Sequence, residues 1–177
     1  DKSTSQFASI RVDNHVSYKN YVNYSSITRC VNEYSSSYSL LSLSDGKIFC
    51  QSVNISMNKC HYYSGIICSA FNDPSSVTCT LLYSSFADNH ACGHCCIGFL
   101  WSSANSEIKC CNILRNTQIS NSEGTIRSNG NLTIKDSCIL ENIAYYVFYL
   151  YYSTFTITLS NCTVDSTSNN GNLTIQS

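Results

Sequence analysis

The sequence predicts an all-β chain wound as a right-handed parallel β-helix of about seven coils, and three observations carry that expectation. One phrase recurs. Ile108-Lys-Cys-Cys-Asn-Ile-Leu-Arg-Asn116 returns as Ile134-Lys-Asp-Ser-Cys-Ile-Leu-Glu-Asn142 and as Ile157-Thr-Leu-Ser-Asn-Cys-Thr-Val-Asp165, and Leu173-Thr174-Ile175 opens it again. Repetition with a period in the twenties marks a solenoid, in which each repeat buries its face only against its neighbours. Helical patterning is almost absent, and Ser, Asn, Thr, Tyr and Val suit strands and turns. Finally, strands that recur every ~23 residues are too far apart for hairpins, which leave two to five residues between strands. They return after a full coil and pair in parallel, with the usual right-handed crossover. A β-sandwich of short strands offers no reason for register across several copies.

Taken in order, the first phrases are Ile10-Arg-Val12 and Tyr18-Lys-Asn20, and Ile27 starts a strand. Residues 1–177 read as one β-helix domain, a segment of a longer solenoid, with 21–45 and 87–105 as irregular or loop-bearing coils. From Gly46 the rhythm steadies: Gly46-Lys-Ile48 leads to Val53-Asn-Ile55, Gly65-Ile-Ile67 to Val77-Thr-Cys79, and Gly124-Thr-Ile126 to Leu132-Thr-Ile134. An insertion with the turn Asn72-Asp-Pro74 interrupts the second of these. Period two places Ile55, Cys79, Ile108, Ile134, Ile157 and Ile175 in an inward ladder, with Thr78, Glu107, Thr133, Thr156 and Thr174 outside. Phe86, Leu114, Leu140 and Val164 close the phrases. Asn89, Asn116 and Asn142 follow three of them, as asparagines stacked at a left-handed corner.

Phe86-Ala-Asp-Asn89 looks like an FxxN motif, and Gly46-Lys-Ile48, Gly65-Ile-Ile67 and Gly124-Thr-Ile126 look like degenerate GGAI motifs. Over roughly 46–177 their alternation resembles the repeats of polymorphic outer-membrane-protein-like β-helices, in the wider pectin-lyase-like group. The second glycine of GGAI is missing throughout, and one FxxN is intact. The resemblance implies a surface-exposed adhesive or structural passenger and no enzyme.

Composition narrows the setting. Charged residues are 12% of the chain and the formal net charge is −1, so there is no basic footprint for nucleic acid or an anionic membrane. No apolar run approaches the eighteen residues of a transmembrane segment, and Asp1-Lys2-Ser3-Thr4 lacks a signal-peptide pattern. Twelve cysteines accompany five glycosylation sequons, at Asn23, Asn54, Asn131, Asn161 and Asn172. Together they point to the secretory route, N-linked glycans and an oxidising environment.

Three constellations could carry chemistry. His90, Cys92, His94, Cys95 and Cys96 contain Cys-Gly-His-Cys, similar to the active-site tetrapeptide of protein disulfide isomerases, but no βαβ pattern or helix surrounds it. On one strand face, His90, Cys92, His94 and Cys96 are a metal set by type but form a line where zinc wants a tetrahedron. A disulfide-knotted insertion loop is the favoured reading. Cys138 and Cys162 fall on neighbouring coils at disulfide spacing, and the vicinal pairs Cys95-Cys96 and Cys110-Cys111 cannot both point inward. Arg115, Glu141 and Asp165 form one exposed row, read as an ion-pair ladder. Tyr145 to Phe155 must turn half its side chains outward, which suits contact with another chain or a host or matrix glycan.

The expected role is a non-catalytic structural or adhesive extracellular surface module, a secreted glycoprotein that acts as an adhesin or stacks end to end as a filament. Its partners would be neighbouring copies or continuing repeats. No catalytic residue, metal or cofactor is assigned; the alternative is a polysaccharide-active lyase or hydrolase.

Overall fold

The computed structural model describes residues 7–32, 39–73, 75–100, 103–121 and 123–176; its strands stack in parallel as an all-β solenoid. The first sheet holds Ala8–Arg11, Ser39–Ser44, Tyr63–Ser69, Ile97–Phe99, Gly124–Ser128, Tyr146–Leu150 and Asn169–Asn170. The second holds Lys19–Asn23, Lys47–Gln51, Val77–Leu82, Asn105–Lys109, Leu132–Lys135, Thr156–Ser160 and Asn172–Gln176. The third runs from Ser26–Thr28 through Asn54–Ser56, Ser85–Ala87, Asn112–Leu114 and Cys138–Leu140 to Thr163–Val164. A short fourth comprises Val31–Asn32, Lys59–Cys60, His90–Ala91 and Thr117–Gln118. Each coil visits the second, third, fourth and first sheets in turn.

There are about five full turns rather than about seven. The end coils are incomplete, and the fourth sheet fades after Thr117–Gln118, where Ile143 makes a single bridge to Thr117. Strand recurrence overcounts the coils because a strand at either end belongs to only part of a turn.

The register sorts the apolar residues into ladders that differ from the single one expected. The second sheet has two: Ile48, Cys79, Ser106, Leu132, Ile157 and Leu173, and two residues on, Cys50, Leu81, Ile108, Ile134, Leu159 and Ile175. Cys79 and Ile157 therefore belong to one, and Ile108, Ile134 and Ile175 to the other. Ile55 lies in the third sheet, on the ladder Ile27, Ile55, Phe86, Ile113, Ile139 and Val164. Leu114 and Leu140 are one residue beyond it and half-exposed. A period of two makes a one-residue slip change faces, whereas a two-residue slip is invisible to an apolar pattern. Thr78 is likewise buried, and the outward row is Thr80, Glu107, Thr133, Thr158 and Thr174.

Two corners per coil are built on left-handed residues. Tyr24, Ser52, Tyr83, Cys110, Asp136 and Asn161, at φ 49–55°, lead from the second sheet to the third; Arg29, Met57, Asp88, Arg115 and Glu141, at φ 51–58°, lead out of the third. Such φ costs a residue with a Cβ about 1–2 kcal/mol, so something must over-determine each corner. At the second corner it is the residue that follows. Asn58, Asn89, Asn116 and Asn142 form a ladder in which each Nδ2 donates to the next Oδ1 at 2.9–3.0 Å. Each Nδ2 also donates to a carbonyl of the coil before, that of Ile27, Ile55, Phe86 or Ile113. Each Oδ1 also accepts the backbone N–H of the rung before, from Cys30 through Asn116. The asparagine ladder is as expected, with Asn58 added; the left-handed residue is the one before each asparagine.

The first corner has a ladder of its own: Ser25, Val53, Ser84, Cys111, Ser137 and Cys162. Ser84 Oγ donates to the Leu82 carbonyl and accepts the Val53 N–H; Ser137 Oγ does the same for Lys135 and Cys111. The Cys111 thiol takes both roles in its turn, toward Lys109 and Ser84, and the Cys162 thiol donates to the Ser160 carbonyl. Cysteine here substitutes for serine as a small ladder residue. Replacing Ser137 by Ala strands the buried Cys111 N–H and is expected to cost about 1–3 kcal/mol in urea unfolding. Ser137→Cys should cost clearly less.

Close approach rather than a shared motif explains the glycines. A Cβ on Gly46, at φ 62°, would sit 2.6 Å from the Tyr18 carbonyl oxygen, and one on Gly65 2.4 Å from that of Cys96. Gly46 enters the second sheet, whereas Gly65 and Gly124 lie in the first and one residue out of register with each other. They are not equivalent positions of one repeat motif.

Candidate functional site

The coil that carries Cys92–Cys96 bulges over the outer face of the first sheet. The N–H groups of Cys92 and Gly93 donate to the His61 carbonyl and that of His94 to Tyr62, which clips the bulge to the coil below. Under it lies a second apolar cluster of Tyr63, Ile67, Cys95 and Leu100, separate from the main core. His94 stacks on Tyr62 at 4.8 Å and on Tyr63 at 4.7 Å, with Nδ1 2.9 Å from Oε1 of Glu123. Glu123, almost fully buried, pairs with Arg127, whose guanidinium lies over Tyr151 at 4.9 Å and Tyr149 at 5.9 Å. Burial pushes Tyr63 up to about 12, against the lowering pull of the same guanidinium.

Burial, then the Arg127 charge, lowers the His94 pKa, so the folded chain favours neutral imidazole. The unfolded chain takes up its proton first, near pH 6.5, and stability held above that pH is lost on acidification below it. Urea unfolding at pH 7.5 and 5.5 should show this loss, and His94→Phe should shrink it.

The cysteines in this coil are placed against the expected chemistries. Cys95 and Cys96 are buried, and burial pushes both thiols up to about 12, whereas thiol–disulfide catalysis needs a lowered pKa. Cys96 faces the main core and hydrogen-bonds Asn116 Oδ1, while His94 faces the outer cluster. The four supposed ligands do not share a face, and among the described residues no group of three or more His, Cys, Asp or Glu is placed to hold a metal. Half-exposed Cys92 approaches His90 Nε2 at 3.8 Å.

All twelve cysteines are free thiols in the structure, so the expected Cys138–Cys162 bond is not formed. Cys138 pairs with Thr163, which puts Cys162 level with Ser137. The two thiols therefore face opposite sides of the strand. In the core the neighbouring Cys79 thiol, then burial, push the Cys68 pKa well up. Each vicinal pair divides as expected: Cys111 enters the core and Cys110 faces out; Cys96 enters it and Cys95 joins the outer cluster.

The Arg115, Glu141 and Asp165 row is also rearranged. Arg115 turns to Asp88, with Nε and Nη2 at 2.7 and 2.9 Å from its two carboxylate oxygens. Asp165 is one residue out of register and accepts the Glu141 N–H. Asp88 and Glu141, rather than Glu141 and Asp165, flank Arg115. The five sequon asparagines, Asn23, Asn54, Asn131, Asn161 and Asn172, are all exposed.

A cleft of about 550 Å³ lies where successive coils leave the first sheet, lined by Asp45, Asn72, Arg127, Asn129, Tyr151 and Tyr152 among others. Asp45 is the first of two left-handed residues in the Asp45-Gly46 turn and carries an ion pair to Arg11 at 2.8 Å. Asn129 is 8% exposed, and its Oδ1 has no partner among the described residues. Tyr146–Leu150 buries Val147, Phe148 and Leu150 and leaves Tyr145, Tyr151 and Tyr152 65%, 52% and 48% exposed. Tyr151 and Tyr152 meet edge to face at 4.8 Å. Of this segment, Tyr151 and Tyr152, just past the strand, form one side of the cleft. Of the other lining residues, Ser69 and Arg127 lie at the ends of strands of the first sheet, while Asp45, Asn72 and Asn129 lie in the turns that follow it, where no period marks them.

Comparison with protein-family models, with curated proteins and with solved structures finds no match. Among the described residues there is no helix long and apolar enough to cross a membrane.

Proposed function

We propose that the chain is a non-catalytic structural or adhesive module of an extracellular surface. The observation that carries the reading is the exposed pair Tyr151 and Tyr152 along a polar cleft at one corner of the stack. Exposed tyrosines offer large contact area at low entropic cost, which is the usual currency of a recognition surface. Exposure of all five sequon asparagines supports a secreted glycoprotein, and the resemblance to polymorphic outer-membrane-protein-like repeats belongs with that reading. Arg115 held by Asp88, and Asp165 held by a backbone N–H, give the polysaccharide-cleaving alternative no converging carboxylates.

End-to-end stacking into a fibre is part of the same reading, since parallel coils of one kind can pair with one another.

Adhesion of purified chain to a glycoprotein-coated surface tests the reading, with intact mass before and after glycan removal reporting the compartment. Retention on the surface and a loss of mass are expected; a chain that neither adheres nor carries glycan overturns it. Electron microscopy tests the stacking arm: rods longer than one solenoid support it, and only short single particles refute it.

A further inference from the structure

The corner cleft carries more information than adhesion in general, because its charges are already spent. Arg127 is neutralised by Glu123 and Asp45 by Arg11. The remaining polar lining is Asn14, Asn72, Asn129 and two serines, with no further charged side chain among the described residues. A carboxylated, sulfated or cationic ligand would find no unpaired counter-charge there, and desolvating it would oppose binding. Side-chain amides and hydroxyls donate and accept from the same small group, which is also what a sugar hydroxyl does. The buried, unpartnered Oδ1 of Asn129 is an acceptor that the fold leaves without a donor. The exposed pair Tyr151 and Tyr152 supplies an apolar wall for the C–H face of a ring. The volume, about 550 Å³, falls in the range of small-ligand sites.

We propose that this cleft is a binding site for a neutral oligosaccharide, held by the Asn72 and Asn129 amides and by Asp45, and packed against Tyr151 and Tyr152. The inference rests on the adhesive reading and names its ligand class. Since coils are ~4.8 Å apart, residues contributed by successive coils form a track along the solenoid axis, which suits a linear chain better than a single ring.

The test uses the full chain and titrates cellotriose, maltotriose and chitotriose by calorimetry and saturation-transfer NMR, with trigalacturonate and a short unstructured peptide as contrasts. At least one neutral trisaccharide is expected to saturate the chain in the millimolar range or below, with trigalacturonate and the peptide weaker. Asn129→Ala and Tyr152→Ala should each weaken binding about five- to tenfold, the equivalent of one or two lost contacts. Thr28→Ala, on the exposed face of the third sheet, should leave affinity unchanged. Asn72→Ala, at an exposed position, keeps the test sound if Asn129→Ala misfolds. Absence of binding by all three neutral sugars at about 10 mM, a preference for the acidic sugar or the peptide, or unaltered affinity in folded Asn129 and Tyr152 variants would each overturn the proposal.

Failure of the site and failure of the adhesive reading are separable. A chain whose cleft variants still adhere to the coated surface keeps the adhesive reading and loses the cleft. A chain that binds a trisaccharide but adheres to nothing keeps the cleft and loses the adhesive reading.

Discussion

Replacing Asn116 with leucine should lower the melting temperature by roughly 10–20 °C, the largest loss expected from any single polar side chain in this molecule. Asn116 accepts from the Asn89 side chain and from its backbone N–H, and donates to the Phe86 carbonyl and to Asn142. Leucine has a similar volume but makes none of these bonds. It leaves a buried N–H and a buried C=O without partners, each costing about 1–3 kcal/mol, and breaks the ladder between Asn89 and Asn142. Asp at this position restores only the accepting half, and it places a charge beside the Asn142 oxygen. Because a solenoid is held by nearest-neighbour interfaces, the break should also divide the stack. Hydrogen exchange should then show the coils before and after residue 116 losing protection at different denaturant concentrations; an unaltered melt with uniform protection would refute this account of the corner.

The second large effect lies beneath the same corner. Phe86 is fully buried on the ladder between Ile55 and Ile113 and is among the largest side chains in the core. Phe86→Ala should cost about 3–5 kcal/mol, since parallel strands on both sides prevent collapse into the space. Phe86→Leu should cost less than about 1.5 kcal/mol, because isoleucine already fills this rung in the neighbouring coils. Urea unfolding of the two variants checks the pair. Equal losses would mean that the interior is not packed as the register implies.

Particular residues show how far the repeats could be read. The phrases ending in Asn116 and Asn142 announce parallel coils and stacked asparagines, since period and side-chain chemistry are both local. Register is another matter. Leu114 looks as suitable a core residue as Ile113, and only pairing with Phe86 and Ile139 shows which of them faces in. The same slip of one residue sets Cys138 and Cys162 on opposite faces, and Asp165 out of line with Glu141. Ile55-Ser-Met-Asn58, Ile113-Leu-Arg-Asn116 and Ile139-Leu-Glu-Asn142 prove equivalent to Phe86-Ala-Asp-Asn89. A pattern that admits isoleucine for phenylalanine would have found four copies of that corner instead of one.

The cleft was legible only in part. Tyr145 to Phe155 was expected to expose half its rings, because a strand alternates faces whatever lies beside it. Asp45, Asn72 and Asn129 belong to corners of different length and carry no common spacing. They meet only because coils stack in register and bring residues of different coils to one edge.

The sequence by itself determined the architecture: strands too far apart for hairpins, few helix formers, and one polar residue recurring where the backbone must bend. Those are properties of short segments, and they survive without knowing which segment touches which. Only the tertiary structure decided the register, and with it which cysteines enter the core, which charges pair and which side chains line the cleft. The physical reason is that alternation assigns faces within one strand, while the match between strands is set by corners and bulges whose lengths vary from coil to coil.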